Sequence, residues 1–321
     1  MSPRISRLRV IVALVFALGA ASAPPAPATL PGVDGRIAFV RPGSGIWTVN
    51  PDGSGLARVS PQTRRTSPCD SDPFFSPRGS WLVFQGCNPD RHVTNVGRMT
   101  AAGMRSKTIV TSAAGRLAPQ TPTYSPSGQR IAFAAGANRP KVFIARASGG
   151  GAKSLGVVGY EPAWSSRGRI AFTVPLNTTQ WCNSTELDDI ATMRANGTDV
   201  RRITRDYGSY DPDWSPDGRH IAFARDVTVG PGDYSDAQGT MDCLRVHKSQ
   251  APYGPEIFVA DEDGANQRQL THAGGSHPAW SPDGKLIAFE RSGYVWIMRA
   301  NGKHQRRLVR GIQPAWQPLQ R

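Results

Sequence analysis

Asp211-Pro212-Asp213-Trp214-Ser215-Pro216-Asp217-Gly218-Arg219-His220-Ile221-Ala222-Phe223 reads as one β-hairpin, and variants of it recur along the whole chain. Pro212 opens an extended run, and Trp214 follows at the two-residue period of a strand. Ser215–Gly218 then puts proline where a turn needs φ near about −65° and glycine where φ must be positive. Ile221-Ala222-Phe223 returns as a strand of branched and aromatic residues that suit a pleated surface.

Working outward, the same pattern runs from Pro73 to Phe84, Pro122 to Phe133, Pro162 to Phe172 and Pro278 to Phe289, which with the first makes five complete copies. Two halves remain. Ile37-Ala38-Phe39 has no P-x-W before it, and Pro314-Ala315-Trp316 has no I-A-F after it. Downstream of the I-A-F segments lies a second hairpin, its first strand being Ile46–Val49, Lys141–Ala145, Asp189–Met193, Glu256–Ala260 or Tyr294–Met298. Polar turns follow, such as Asn196-Gly197 and Asp263-Gly264, and then Leu56–Ser60, Arg201–Thr204, Arg268–Thr271 or Arg306–Val309.

Four strands repeated at roughly 40–50 residues is the pattern of a propeller blade. The opening prolines stand at 73, 122, 162, 212, 278 and 314. If the last P-A-W strand lies innermost beside the first I-A-F strand, the two halves complete a sixth blade and close the ring. The expectation is an all-β, six-bladed β-propeller of four-stranded antiparallel blades. Aromatics at 75, 124, 164, 214, 280 and 316 should pack between neighbouring blades as core. Proline at the start of each inner strand suits an edge that faces the channel and owes no ladder bond there.

One repeat system covers the chain from residue 35, so residues 35–321 are read as a single propeller domain after a short linker at 29–34. Residues 1–28 read as an export signal and linker: Arg4, Arg7 and Arg9, an apolar run Val10–Ala20, then small residues. The run is short for a stable membrane span. Removing three arginines and no acids lowers the formal charge from +14 to +11. For an exported chain, periplasmic or extracellular, that balance points to an anionic envelope polymer or an envelope protein as partner and away from nucleic acid. The arginines also read as dispersed over solvated edges and turns, since no basic run exceeds pairs such as Arg306-Arg307. The chain is expected to be a monomer.

Four cysteines in an exported chain favour disulfides over metal. Cys69 and Cys87 flank one hairpin and are expected to pair. Cys182 and Cys243, in long insertions of adjacent blades on one face of the disc, make the second expected pair. Neither C-x-x-C nor a zinc-like spacing occurs, and no cofactor motif is present.

The repeated P-x-W-S-P-D-G-x-x-I-A-F, with strands such as Glu256-Ile257-Phe258-Val259-Ala260-Asp261, resembles the PD40, or WD40-like, repeats of the TolB propeller family over about residues 35–318. The resemblance implies a periplasmic, partner-binding propeller. It also implies an α/β domain ahead of the propeller, for which the residues before 35 leave no room. Similar propellers precede α/β-hydrolase domains in prolyl-oligopeptidase-like peptidases, but no G-x-S-x-G occurs.

The residue before each inner proline offers the best candidate site. Asp72, Thr121, Glu161, Asp211, His277 and Gln313 should gather at one channel mouth, with Asp72, Glu161, Asp211 and His277 as its chemical groups. Such a rim allows a bound cation or a positively charged peptide end; equally, these side chains can simply cap strand ends. Two functions follow. One is a non-catalytic exported scaffold binding an envelope partner through the face that carries the Cys182 and Cys243 insertions. The other is a lyase or hydrolase of an anionic polysaccharide acting at the mouth, and mutual reach of these side chains separates the two.

Overall fold

The computed structural model describes residues 33–60, 70–88, 93–111, 118–136, 139–176, 187–227 and 254–319. These form six four-stranded antiparallel sheets arranged as a propeller. Blade 5 shows the plan: inner strand Ser209–Trp214, then His220–Arg225, Glu256–Asp261 and outer strand Arg268–Gln269, each paired with the next. Blade 1 is the composite one. Its inner strand is Ile312–Leu319 from the end of the chain, followed by Val33–Arg41, Gly45–Val49 and Ala57–Arg58. The closing register pairs Ile37 with Trp316 and Ala38 with Ala315. Because Val33 already pairs with Leu319, the ring takes in the last two residues of the 29–34 stretch.

The Ser-Pro-Asp-Gly turn forms as its residues dictate. The Gly218 N–H donates to the Ser215 carbonyl (2.8 Å), Gly218 sits at φ 66, and the Ser215 hydroxyl donates to Asp217 Oδ1 (2.6 Å). The six aromatics fill the blade interfaces. Trp214 is 1 % exposed and packs with Ala163 and Ala171 of blade 4, and its indole N–H donates to the Ala163 carbonyl at 3.2 Å. Trp316 packs blade 1 against blade 6, beside Ala279, Ala288 and Ile297.

Two features differ from the expectation. Inner strands begin before the proline, at Ser71, Gln120, Tyr160, Ser209, Ser276 and Ile312, and each carries a bulge at the residue before it. In blade 5, Tyr210 pairs with Ala224 and Asp213 with Ala222, so one extra residue is accommodated. Proline lacks an N–H, and a bulge is where a strand tolerates that. Three outer strands are also shorter than read, at Ala57–Arg58, Arg201–Arg202 and Arg268–Gln269. There a hydroxyl takes over half of the ladder: Ser60, Thr204 and Thr271 accept the N–H of Ile46, Ile190 and Ile257, each at 2.8 Å, while the carbonyls of those isoleucines still accept from the Val59, Ile203 and Leu270 N–H. Each hydroxyl donates in turn to a buried carboxylate, Asp70 (3.2 Å), Asp189 (2.9 Å) or Glu256 (2.6 Å).

The expected pairs Cys69–Cys87 and Cys182–Cys243 lie outside the described residues, apart from the backbone of Cys87 in the strand Trp81–Asn88. The export segment 1–28 lies outside them too. Among the described residues no helix is long and apolar enough to cross a membrane.

Candidate functional site at the channel mouth

All six residues before the inner prolines line one central cavity of about 140 Å³, together with the prolines themselves. Each adopts a left-handed backbone: Asp72 at φ 49, Thr121 at 47, Glu161 at 51, Asp211 at 53, His277 at 48 and Gln313 at 53. A non-glycine residue there is uncommon, and for β-branched Thr121 it is an outlier. The bulge imposes this conformation and faces these positions to the axis.

The side chains do more than approach one another, because they hand the ring from blade to blade. Asp211 N–H donates to Glu161 Oε2 (2.9 Å), and His277 N–H donates to Asp211 Oδ2 (3.3 Å). Asp72 N–H donates to Gln313 Oε1 (3.2 Å), and Gln313 Nε2 returns a bond to Asp72 Oδ1 (2.8 Å). In each case a mouth side chain satisfies a backbone donor of the next blade that the channel edge would leave bare. Glu161 Oε2 also accepts from the Thr173 hydroxyl (2.8 Å), and Asp72 Oδ2 from the Ser71 hydroxyl (2.8 Å).

His277 Nδ1 lies 3.4 Å from Asp211 Oδ2 and 3.3 Å from Glu290 Oε2. Burial alone pushes the imidazole pKa down, but the charges of Asp211 and Glu290 override it and hold it at about 10. The Glu161 pKa rises as well: burial, then the neighbouring charge of Asp211, pushes it well above the ordinary carboxylate range. Burial also raises Asp72. The structure therefore joins Glu161, Asp211 and His277 into one hydrogen-bonded arc, while Asp72 is engaged by Gln313 on the other side of blade 1.

Three contributors escape the repeat pattern. Glu290 and Thr173 each follow an I-A-F triplet, a place where other blades carry Val40, Gln85, Ala134 or Ala224. Asp213 stands between proline and tryptophan, where the others have Phe74, Thr123, Ala163, Ala279 and Ala315. It accepts Trp280 N–H at 2.7 Å, and burial raises its pKa to about 7 against the opposing pull of the Trp280 and Trp214 N–H groups. The one available signal was a lone acid at a position otherwise apolar or hydroxylic. Among the described residues no group of three or more His, Cys, Asp or Glu is placed to hold a metal ion.

No protein-family model matches the chain, and no curated protein matches it. Solved structures do. TolB from Acinetobacter baumannii superposes with a TM-score of 0.65 at 18% identity, covering 91% of this chain and 68% of that one. A chain assigned as TolB in Agrobacterium tumefaciens gives 0.58 at 18% identity, with 85% and 87% covered. A chain of the nidogen/laminin complex gives 0.62 at 12% identity, with 89% and 99% covered. At these identities the likeness is one of fold, and the neighbours are TolB and other propeller proteins.

Proposed function

We propose that the protein is an exported, non-catalytic propeller scaffold, periplasmic or extracellular, whose mouth face binds a protein or anionic component of the cell envelope. One observation carries this reading: the carboxylates of Glu161 and Asp211 and the amide of Gln313 are spent on inter-blade bonds. Glu161 and Asp211 each hold a backbone N–H of the next blade, as Gln313 does for Asp72. Groups so engaged make a rigid, shaped rim rather than a free acid and base. The strands flanking the two long insertions, 177–186 and 228–253, end on this same face, and loops on a rigid scaffold are where binding tends to reside. Likeness to TolB chains and to the nidogen/laminin complex supports a partner-binding propeller.

The test uses a photo-cross-linking residue at Val227, which is 43 % exposed beside the larger insertion, against one at Asn301 in a turn on the opposite face. Capture of one envelope protein or polymer from position 227 and not from 301 supports the reading; equal capture, or none, overturns it.

A second reading has one observation in its favour. Glu161 with a raised pKa, beside the Asp211 carboxyl and the raised His277 imidazole, belongs to a cluster of titratable groups perturbed by burial and by one another, as acid–base sites often are. That reading is a lyase or hydrolase of an anionic polysaccharide. It predicts depolymerisation that Glu161→Gln abolishes, and it is discarded if the wild-type protein turns over no such polymer.

A further inference from the structure

Below the mouth the channel continues into a second ring, formed by the residues after the six prolines: Phe74, Thr123, Ala163, Asp213, Ala279 and Ala315. Three observations single it out. The chain carries a formal +14, yet the ionisable residues lining the cavity are Asp72, Glu161, Asp211, Asp213 and His277, with no lysine or arginine among the lining residues. His277 is matched by Asp211 and Glu290, and no lysine or arginine lines the cavity to answer Asp213, so the field of Asp213, once ionised, falls on an entering cation between protein walls. Thr123 is 2 % exposed, lines this cavity, and its hydroxyl has no hydrogen-bond partner. Buried hydroxyls are nearly always paired, so this one is suited to a polar atom brought in from outside.

Asp213 supplies the third observation. The Trp280 N–H fixes one carboxylate oxygen at 2.7 Å, and a carboxylate has about four acceptor sites, so the group is both held in place and able to accept more. Its pKa of about 7 is that of an acid kept from ionising by burial, which an arriving cation would reverse. Between these two polar groups the ring is hydrocarbon: Phe74, Ala163, Ala279 and Ala315, with the prolines above. A cavity of about 140 Å³ has room for on the order of ten waters, enough for a short chain of atoms and too little for a folded partner.

We propose that this ring binds a primary ammonium group on an unbranched alkyl stem, with Asp213 taking the charge, the Thr123 hydroxyl accepting one N–H, and Phe74, Ala163, Ala279 and Ala315 enclosing the stem. The donor is either a lysine side chain of a partner or a free alkylamine, since the head and stem are the same. The site stands whether or not the mouth face docks a macromolecule, because a free amine reaches it alone.

Isothermal titration of the mature chain at fixed ionic strength tests it with n-butylammonium, tert-butylammonium, and an end-blocked tripeptide containing lysine or norleucine. The expected result is n-butylammonium binding at least tenfold more tightly than the branched isomer. Asp213→Asn keeps the acceptor that Trp280 needs and should weaken binding by roughly tenfold or more, as loss of a charged hydrogen bond does. Thr123→Val, of the same shape, should weaken it roughly three- to tenfold. Binding of the lysine peptide and not the norleucine one assigns the donor to a partner's side chain, while binding of the amine alone assigns it to a free amine. No preference for the unbranched amine, or affinity unmoved in both variants with their folds intact by circular dichroism, overturns the proposal.

Discussion

Replacing Asp213 by asparagine separates charge from geometry in the channel. The amide oxygen can still accept the Trp280 N–H that Asp213 holds at 2.7 Å, but the side chain can no longer ionise. Burial lifts the Asp213 pKa from 3.8 to about 7. Between those two values the folded wild-type chain retains a proton that the unfolded chain has released. Raising pH across that window therefore works against folding, and the stability Asp213 contributes in acid is gone above about pH 7. The span is about three pH units at 1.36 kcal/mol each, a ceiling of about 4 kcal/mol. Because Asp213 meets channel water on one side, about 2–4 kcal/mol is the working figure. Urea unfolding at several pH values is the assay. The variant should match the wild type near pH 4 and exceed it by about 2–4 kcal/mol at pH 8. His277 and Glu161 are common to both chains and cancel. A variant less stable at pH 8, or a gap that ignores pH, would refute the account of Asp213 as a buried acid held by backbone N–H groups.

Further perturbations probe the ring itself. Trp316→Ala empties the closing interface beside Ala279, Ala288 and Ile297, and should cost about 3–5 kcal/mol in urea unfolding. Gly264→Ala puts a Cβ 2.2 Å from the Ile203 carbonyl of the preceding blade at φ +90, whereas Gly168→Ala at φ +83 meets nothing within 4 Å. The first should lower the melting temperature well beyond the second, which bears only the conformational cost of about 1 kcal/mol. Thr121→Asn replaces a β-branched residue at φ 47, whose buried hydroxyl lacks a partner, with one that tolerates that conformation, and should gain about 1 kcal/mol. For His277→Gln the readout is pH: the wild-type imidazole, raised from 6.5 to about 10, stabilises fully below 6.5 and loses that contribution as pH climbs through 10, so the variant's melting temperature should fall less over that range.

The hairpin and the ring were legible because each rests on local chemistry repeated many times. Ser-Pro-Asp-Gly specifies its turn wherever it occurs, and two orphan half-motifs at opposite ends leave one economical pairing, Ile37 against Trp316. The mouth positions were legible as positions. Their conformation was not, since Asp, Thr, Glu, His and Gln carry no mark of a left-handed backbone as glycine does. What imposes it is the bulge, which becomes visible only when the partner strand's register is known. Asp213, Thr173 and Glu290 were missed for the complementary reason: a repeat-based reading weighs what recurs, and each occupies a slot where the other blades hold unlike residues. The latches at Ser60, Thr204 and Thr271 fall between. The hydroxyls recur at one place, but their carboxylates come from an inter-blade segment in one case, Asp70, and from a third strand in the others, Asp189 and Glu256.

The distribution of charge then bears on what can approach the mouth. Arg41, Arg225 and Arg291 each stand two residues after an I-A-F triplet, at the mouth end of blades 1, 5 and 6. Each lies over a third-strand aromatic, at 4.4 Å from Trp47, 4.2 Å from Phe258 and 4.8 Å from Trp296. Stacking on a ring keeps the guanidinium charged while holding it in one place. Arg225 is also ion-paired with Asp206, so the shoulder carries Arg41 and Arg291 together with that pair, while Glu161, Asp211, Asp213 and the His277 imidazole occupy the axis. An anionic group is drawn to Arg41 and Arg291 at the shoulder, and a cationic group is drawn to Asp213 in the channel. The ligand complementary to both has an anionic or polar body and one cationic tip. Salt separates the two contributions by degree, because charges that reach solvent are screened over about 8–10 Å at ordinary ionic strength whereas those within the channel are screened much less. Raising salt should therefore weaken the body's attraction to the shoulder more than the tip's hold on Asp213, so the salt slope of binding reports the shoulder and the residual affinity at high salt reports the channel.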